Sequence, residues 1–168
     1  MDTVPITPNL AMLRIKGWQV YVWRDDDSVT LIDTGAPGSS AEILCAVEVP
    51  IYQRVSVGLP DVAPPVPVDR ELVDGDVLAF GGDAEILAIP GHTEGSIAIH
   101  LPHHGMLFTG DTIASVGTVM LGTFNQDREQ TAASFRRLAA LDVEIACFGH
   151  GEPIASGAGD RIREVLPH

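Results

Sequence analysis

His92, Asp111 and His150 are the residues whose types and settings best suit chemistry, and each directly follows an apolar run, at 85–91, 107–110 and 144–149. Asp33 stands in the same relation to the run at 29–32. Two imidazoles and a carboxylate are the donors expected of zinc, iron or manganese. Three protein ligands leave a coordination position open, as a catalytic site requires and a closed structural site does not. The same side chains have a plainer reading as hydrogen-bonded turn residues, with His92 satisfying the loop to Ser96 and Asp111 capping the segment after it. Spacing along the chain leaves both readings open.

Polar residues that end strands of one sheet share one rim. Ligands gather at the carboxyl ends of strands joined by helical connections, and a nearby glycine lets the backbone turn sharply and approach closely. Gly35, Gly91, Gly110, Gly149 and Gly151 stand in those places. The first third alternates with period two over 11–15, 18–23 and 29–33, which predicts a β-meander broken at Gly17 and Asp25-Asp26-Asp27. Ser39-x-x-Glu42 has the form of a capping box opening a short helix that ends near Val49-Pro50. A strand-like stretch at 51–57 runs into a stiff proline-rich connector at 60–67. Segments 71–75 and 76–80 then lead through Gly81-Gly82-Asp83 to strands at 84–89, 96–101 and 106–109. A helix follows, with Asp127 as N-cap and Gln130 at the capping-box position, expected to carry Ala133, Phe135, Leu138 and Leu141 inward. A strand at 143–148 and a terminal helix at 160–166 complete one expected domain over 1–168.

A formal net charge of −13 repels polyanions, and Arg136-Arg137 with Arg161 and Arg163 reads as solvated helix faces, not a basic stripe. Nucleic-acid binding is disfavoured accordingly. The longest apolar runs are strand-sized, so no membrane span is expected, and no basic-then-apolar leader opens the numbering, which makes the cytoplasm the expected location. Cys45 and Cys147 sit among apolar residues without a metal or redox spacing and read as buried thiols. His100, His103, His104 and His168 are weaker candidates, the three near Pro102 being expected to be solvent-exposed, and Glu94 is a base or a ligand beside His92 or simply solvated. Serine-elbow, Walker-type and dinucleotide-binding glycine patterns are absent from the sequence.

Four ordered segments then carry a resemblance: Leu31-Ile32-Asp33-Thr34-Gly35, Pro90-Gly91-His92-Thr93-Glu94-Gly95-Ser96, Phe108-Thr109-Gly110-Asp111-Thr112 and Phe148-Gly149-His150-Gly151. With those flanks the chain resembles the metallo-β-lactamase superfamily, and within it the glyoxalase II-like hydrolases. The resemblance implies an α/β fold, an αββα sandwich with a metal cleft. It also implies roles: Asp33 as the structural aspartate, His92 as a ligand of a first metal, Asp111 as the bridging carboxylate and His150 as a ligand of a second. Gly35, Gly91 and Gly110 are expected to be structural, as the glycines that let the backbone turn beside these residues.

The chain departs from that family in one respect. Its His-x-His-x-Asp-His motif belongs between the first two segments, and no histidine precedes His92. The expectation is a fold truncated by about one strand-loop-helix unit between Glu48 and Ile51. Such a loss strips ligands from both metals and bares sheet edge and apolar surface, which favours a homodimer. The first functional reading is thus a metal-free or weakly metal-binding homodimer with a cleft for a small molecule or partner. The alternative is a mononuclear hydrolase of an ester or thioester, in which one divalent metal, zinc, iron or manganese, is held by His92, Asp111 and His150, and Asp111 also orients the nucleophile. Nucleic-acid processing is a lesser alternative.

Overall fold

A computed structural model describes residues 2–15, 17–33, 35, 39, 43 and 68–167. The chain falls into two compact units, Met1–Glu71 and Leu72–His168. In the first, β1 (Asp2–Pro5), β2 (Leu10–Ile15), β3 (Trp18–Arg24) and β4 (Val29–Ile32) form a four-stranded antiparallel sheet in sequential order. This is the expected meander with one more strand at its start. Strand alternation places Leu13, Ile15, Val20 and Val22 on one face, where they cluster with Ile43, and Met12, Tyr21 and Trp23, all but fully buried, on the other. The expected helix after Ser39, the strand-like stretch at 51–57, the connector at 60–67, Cys45 and the proposed truncation point lie outside the described residues, apart from Ile43, which is helical.

In the second unit, β5 (Val77–Leu78), β6 (Ala84–Ala88), β7 (Ile97–Leu101), β8 (Met106–Phe108) and β11 (Ile145–Cys147) form a five-stranded sheet in the order β11-β8-β7-β6-β5. A hairpin of β9 (Ile113–Val116) and β10 (Thr118–Leu121) turns at Gly117, whose φ is +76°. Helices α1 (Arg128–Ala139) and α2 (Ala158–Glu164) supply Phe135, Leu138, Ala158 and Ile162 to a core shared with Ile89, Ala98, Leu107 and Ile113. Sheets and helices in these proportions are those of an α/β sandwich. No helix among the described residues is long and apolar enough to cross a membrane.

Several expectations need correction. Asp127 does cap α1, its side chain accepting from the Gln130 amide at 2.9 Å, but the capping box is only half built because the Asp127 amide donates to Gly91 O. Ala133 is exposed, not inward, since it lies about 200° around the helix from Phe135, while Phe135 and Leu138 are fully buried. The terminal helix begins two residues earlier than expected, at Ala158. Arg137 is more than a solvated face: it pairs with Asp74 at 2.7 Å and donates to Ala88 O. His100 is buried, because its position on β7 faces Glu85 across β6 and its Nδ1 lies 3.0 Å from the Glu85 carboxylate. His103 and His104 are exposed in a short 3-10 turn, as expected. Cys147 is a free, buried thiol, and burial pushes its pKa well up.

Candidate metal centre

Strand direction explains why three residues separated by 58 positions meet. β11 is parallel to β8, and β6 and β8 are each antiparallel to β7 between them, so β6, β8 and β11 all run the same way. Their carboxyl ends share one rim. His92 follows β6, Asp111 follows β8 and His150 follows β11. At each exit the backbone enters the left-handed region at or beside the polar residue, with φ of +128° at Gly91, +52° at Gly110 and +97° at Gly151. A residue with a Cβ resists that conformation. Gly149 N donates to Gly110 O and Ser115 N donates to His150 O, which ties the Asp111 and His150 loops together.

The outcome is a carboxylate between two imidazoles. His92 Nε2 stands 3.6 Å from Asp111 Oδ2, and His150 Nε2 stands 3.7 Å from Asp111 Oδ1. Both gaps exceed a hydrogen bond. They suit an oxygen and a nitrogen on one tetrahedral cation, which sit about 3.4 Å apart when each lies ~2.0–2.1 Å from the ion. Asp111 is thus placed to present one oxygen to each imidazole. Among the described residues, no three His, Cys, Asp or Glu side chains are gathered closely enough to hold a single ion as they stand. The donors fit a divalent cation in chemistry and in pairwise spacing, each imidazole facing a different oxygen of Asp111.

Sequence reasoning missed Asn125. Its Oδ1 lies 3.3 Å from His92 Nδ1, on the ring edge opposite the one facing Asp111. Its only advance signal is the run of turn residues ahead of the Asp127 cap. Glu94 is exposed. Asp33 belongs to the first unit, where it ends β4 exposed and with φ of +67°. Gly35 shares that left-handed geometry, and a Cβ there would press on Val20 at 3.3 Å and Ser39 at 3.4 Å.

Comparison with known proteins places these features in context. Residues 45–150 match a family described as the metallo-beta-lactamase superfamily. A protein named hydroxyacylglutathione hydrolase from Fuscovulum blasticum is 30% identical over 156 residues, spanning 89% of this chain and 56% of that protein. A protein of the same name from Cereibacter sphaeroides is 39% identical over 94 residues, or 55% of this chain and 36% of the relative. The chain therefore spans from about a third to just over half the length of these relatives. Among solved structures, the metallo-beta-lactamase FIM-1 from Pseudomonas aeruginosa in its mono-zinc form superposes with a TM-score of 0.65 at 15% identity, covering 98% of this chain and 94% of that one. A protein solved in a di-iron-bound form superposes with a TM-score of 0.59 at 23% identity, covering 91% and 93%. At such identities these structures speak to the fold alone.

Proposed function

The chain belongs to the metallo-beta-lactamase superfamily, and from that premise we propose that it is a divalent-metal-dependent hydrolase of an ester or thioester, with His92, Asp111 and His150 as its protein donors. One observation carries the reading: the Asp111 carboxylate has an imidazole nitrogen across each of its oxygens, at 3.6 and 3.7 Å. The names of the relatives make a hydroxyacylglutathione thioester the first substrate class to try. Two imidazoles and a carboxylate suit zinc, iron or manganese.

A divalent cation held by His92, Asp111 and His150 would make water a nucleophile near neutral pH and polarise the carbonyl under attack. The rest falls to the chain's own side chains. His92 and His150 offer Nε2 lone pairs, Asp111 supplies the balancing negative charge, and its carboxylate accepts a hydrogen bond that orients the attacking water. Water adds at the carbonyl carbon, the carbon–sulfur bond breaks, and the products are a carboxylic acid and a thiol.

A second reading rests on two observations: no histidine precedes His92, and the described donors do not already surround one ion. In it the chain is a metal-free or weakly metal-binding homodimer whose cleft holds a small molecule or partner without hydrolysis. Thiol release from a hydroxyacylglutathione separates the two. The hydrolase reading expects turnover that chelator abolishes and zinc or iron restores. Absent turnover in metal-supplemented protein, together with a dimer by light scattering and a melting temperature indifferent to chelator, would favour the second.

A further inference from the structure

We infer that Asn125 is the positioning residue for His92, selecting the ring tautomer in which Nε2 is the free donor facing Asp111. The orientation of the Asn125 amide is decided by its other partner. Its Nδ2 donates to Gly122 O at 2.7 Å, and a carbonyl can only accept, so the end turned toward His92 is the oxygen. An oxygen at 3.3 Å from His92 Nδ1 requires that nitrogen to carry the proton. In a neutral imidazole Nε2 is then left with its lone pair, and Nε2 is the atom across from Asp111 Oδ2.

The loop that holds Asn125 is built against both of the loops it serves. Gly122 N donates to Thr112 O, and a Cβ on Gly122 would overlap the Asp111 carbonyl oxygen, so this end lies flush on the Asp111 loop. At the other end Gln126 N donates to His92 O and Asp127 N donates to Gly91 O. Between them Phe124 takes a left-handed φ of +59° and is 95% exposed, so the turn orders Asn125 at the expense of backbone strain and a bare aromatic ring. A residue selected only for turn formation has no need of a side chain bonded at both ends. Hydrogen bonds of this kind to the far nitrogen of a ligating histidine fix its orientation, and their loss typically weakens metal affinity about 10–100-fold.

The inference rests on His92 being a metal donor, and its test separates the two claims. Nitrogen-15 correlation spectra of the metal-free protein read the His92 tautomer directly, and zinc titration calorimetry reads affinity. Wild type is expected to show the Nδ1–H form. Asn125→Leu removes the acceptor at similar size and is expected to lose that bias and about 10–100-fold in zinc affinity, and Asn125→Ala, which removes it with less bulk, is expected to do the same. An Asn125→Leu protein with wild-type tautomer and affinity overturns the inference. So does a folded Asn125→Ala protein with wild-type tautomer and affinity, which also covers the case in which the leucine variant fails to fold. Wild-type protein with His92 in the Nδ1–H form but no zinc uptake overturns the hydrolase reading and leaves tautomer selection by Asn125 supported.

Discussion

Gly149 leaves room for the carboxylate of Asp111: a Cβ placed on Gly149 would overlap Asp111 Oδ1 and meet Cγ at 3.0 Å. The φ of Gly149 is not in the left-handed region, so its lack of a side chain serves this contact and not a turn. Gly149→Ala is expected to displace the carboxylate and weaken zinc binding by about 10-fold or more. Gly95→Ala, where a Cβ meets nothing within 4 Å, is the matched control and should bind as wild type. Calorimetric titration with zinc checks both.

Asp127 anchors the helix behind the site through its side chain and the His92 loop through its backbone. Asp127→Ala removes only the first of these. Unfolding in urea should show a loss of about 0.5–2 kcal/mol, with the Gly91 contact, and hence the placement of His92, retained.

Asp74 is the group whose protonation is most clearly tied to structure. Hydrogen bonding from Arg137, then from the Ala88 amide, holds its carboxyl below the usual carboxylate range. A carboxyl with a lower pKa folded than unfolded binds fewer protons in the native state. Its contribution is therefore complete above the unfolded value and fades as pH falls through the lowered one. Asp74→Asn should lower the melting temperature at neutral pH, and the difference from wild type should shrink below about pH 4. Melting curves from pH 7 to pH 3 check the sign.

Much of this architecture was legible in residues. Alternation at 18–23 announced a strand, although Gln19–Trp23 is buried on both faces, and Asp127 announced α1 because it caps the helix with its own oxygen. His92, Asp111 and His150 were legible as a set because each ends a strand beside a glycine. Their sharing of one rim was expected too, but not the pairing behind it: β6, β8 and β11 run the same way through contacts between distant segments. The β9–β10 hairpin was missed although Gly117 divides two apolar stretches. His100 was misjudged because its burial comes from its cross-strand partner Glu85, fifteen residues away. Asn125 was invisible because its role is defined by what lies across 33 positions of chain.

Elemental analysis of the purified protein after incubation with zinc, iron or manganese, beside an Asp111→Asn variant treated identically, bears most directly on the claim that this rim is a metal centre. The arrangement of His92 and His150 about Asp111 predicts stoichiometric metal in the wild type and its loss in the variant. Wild-type protein that emerges without metal, or a variant that retains as much, would contradict it.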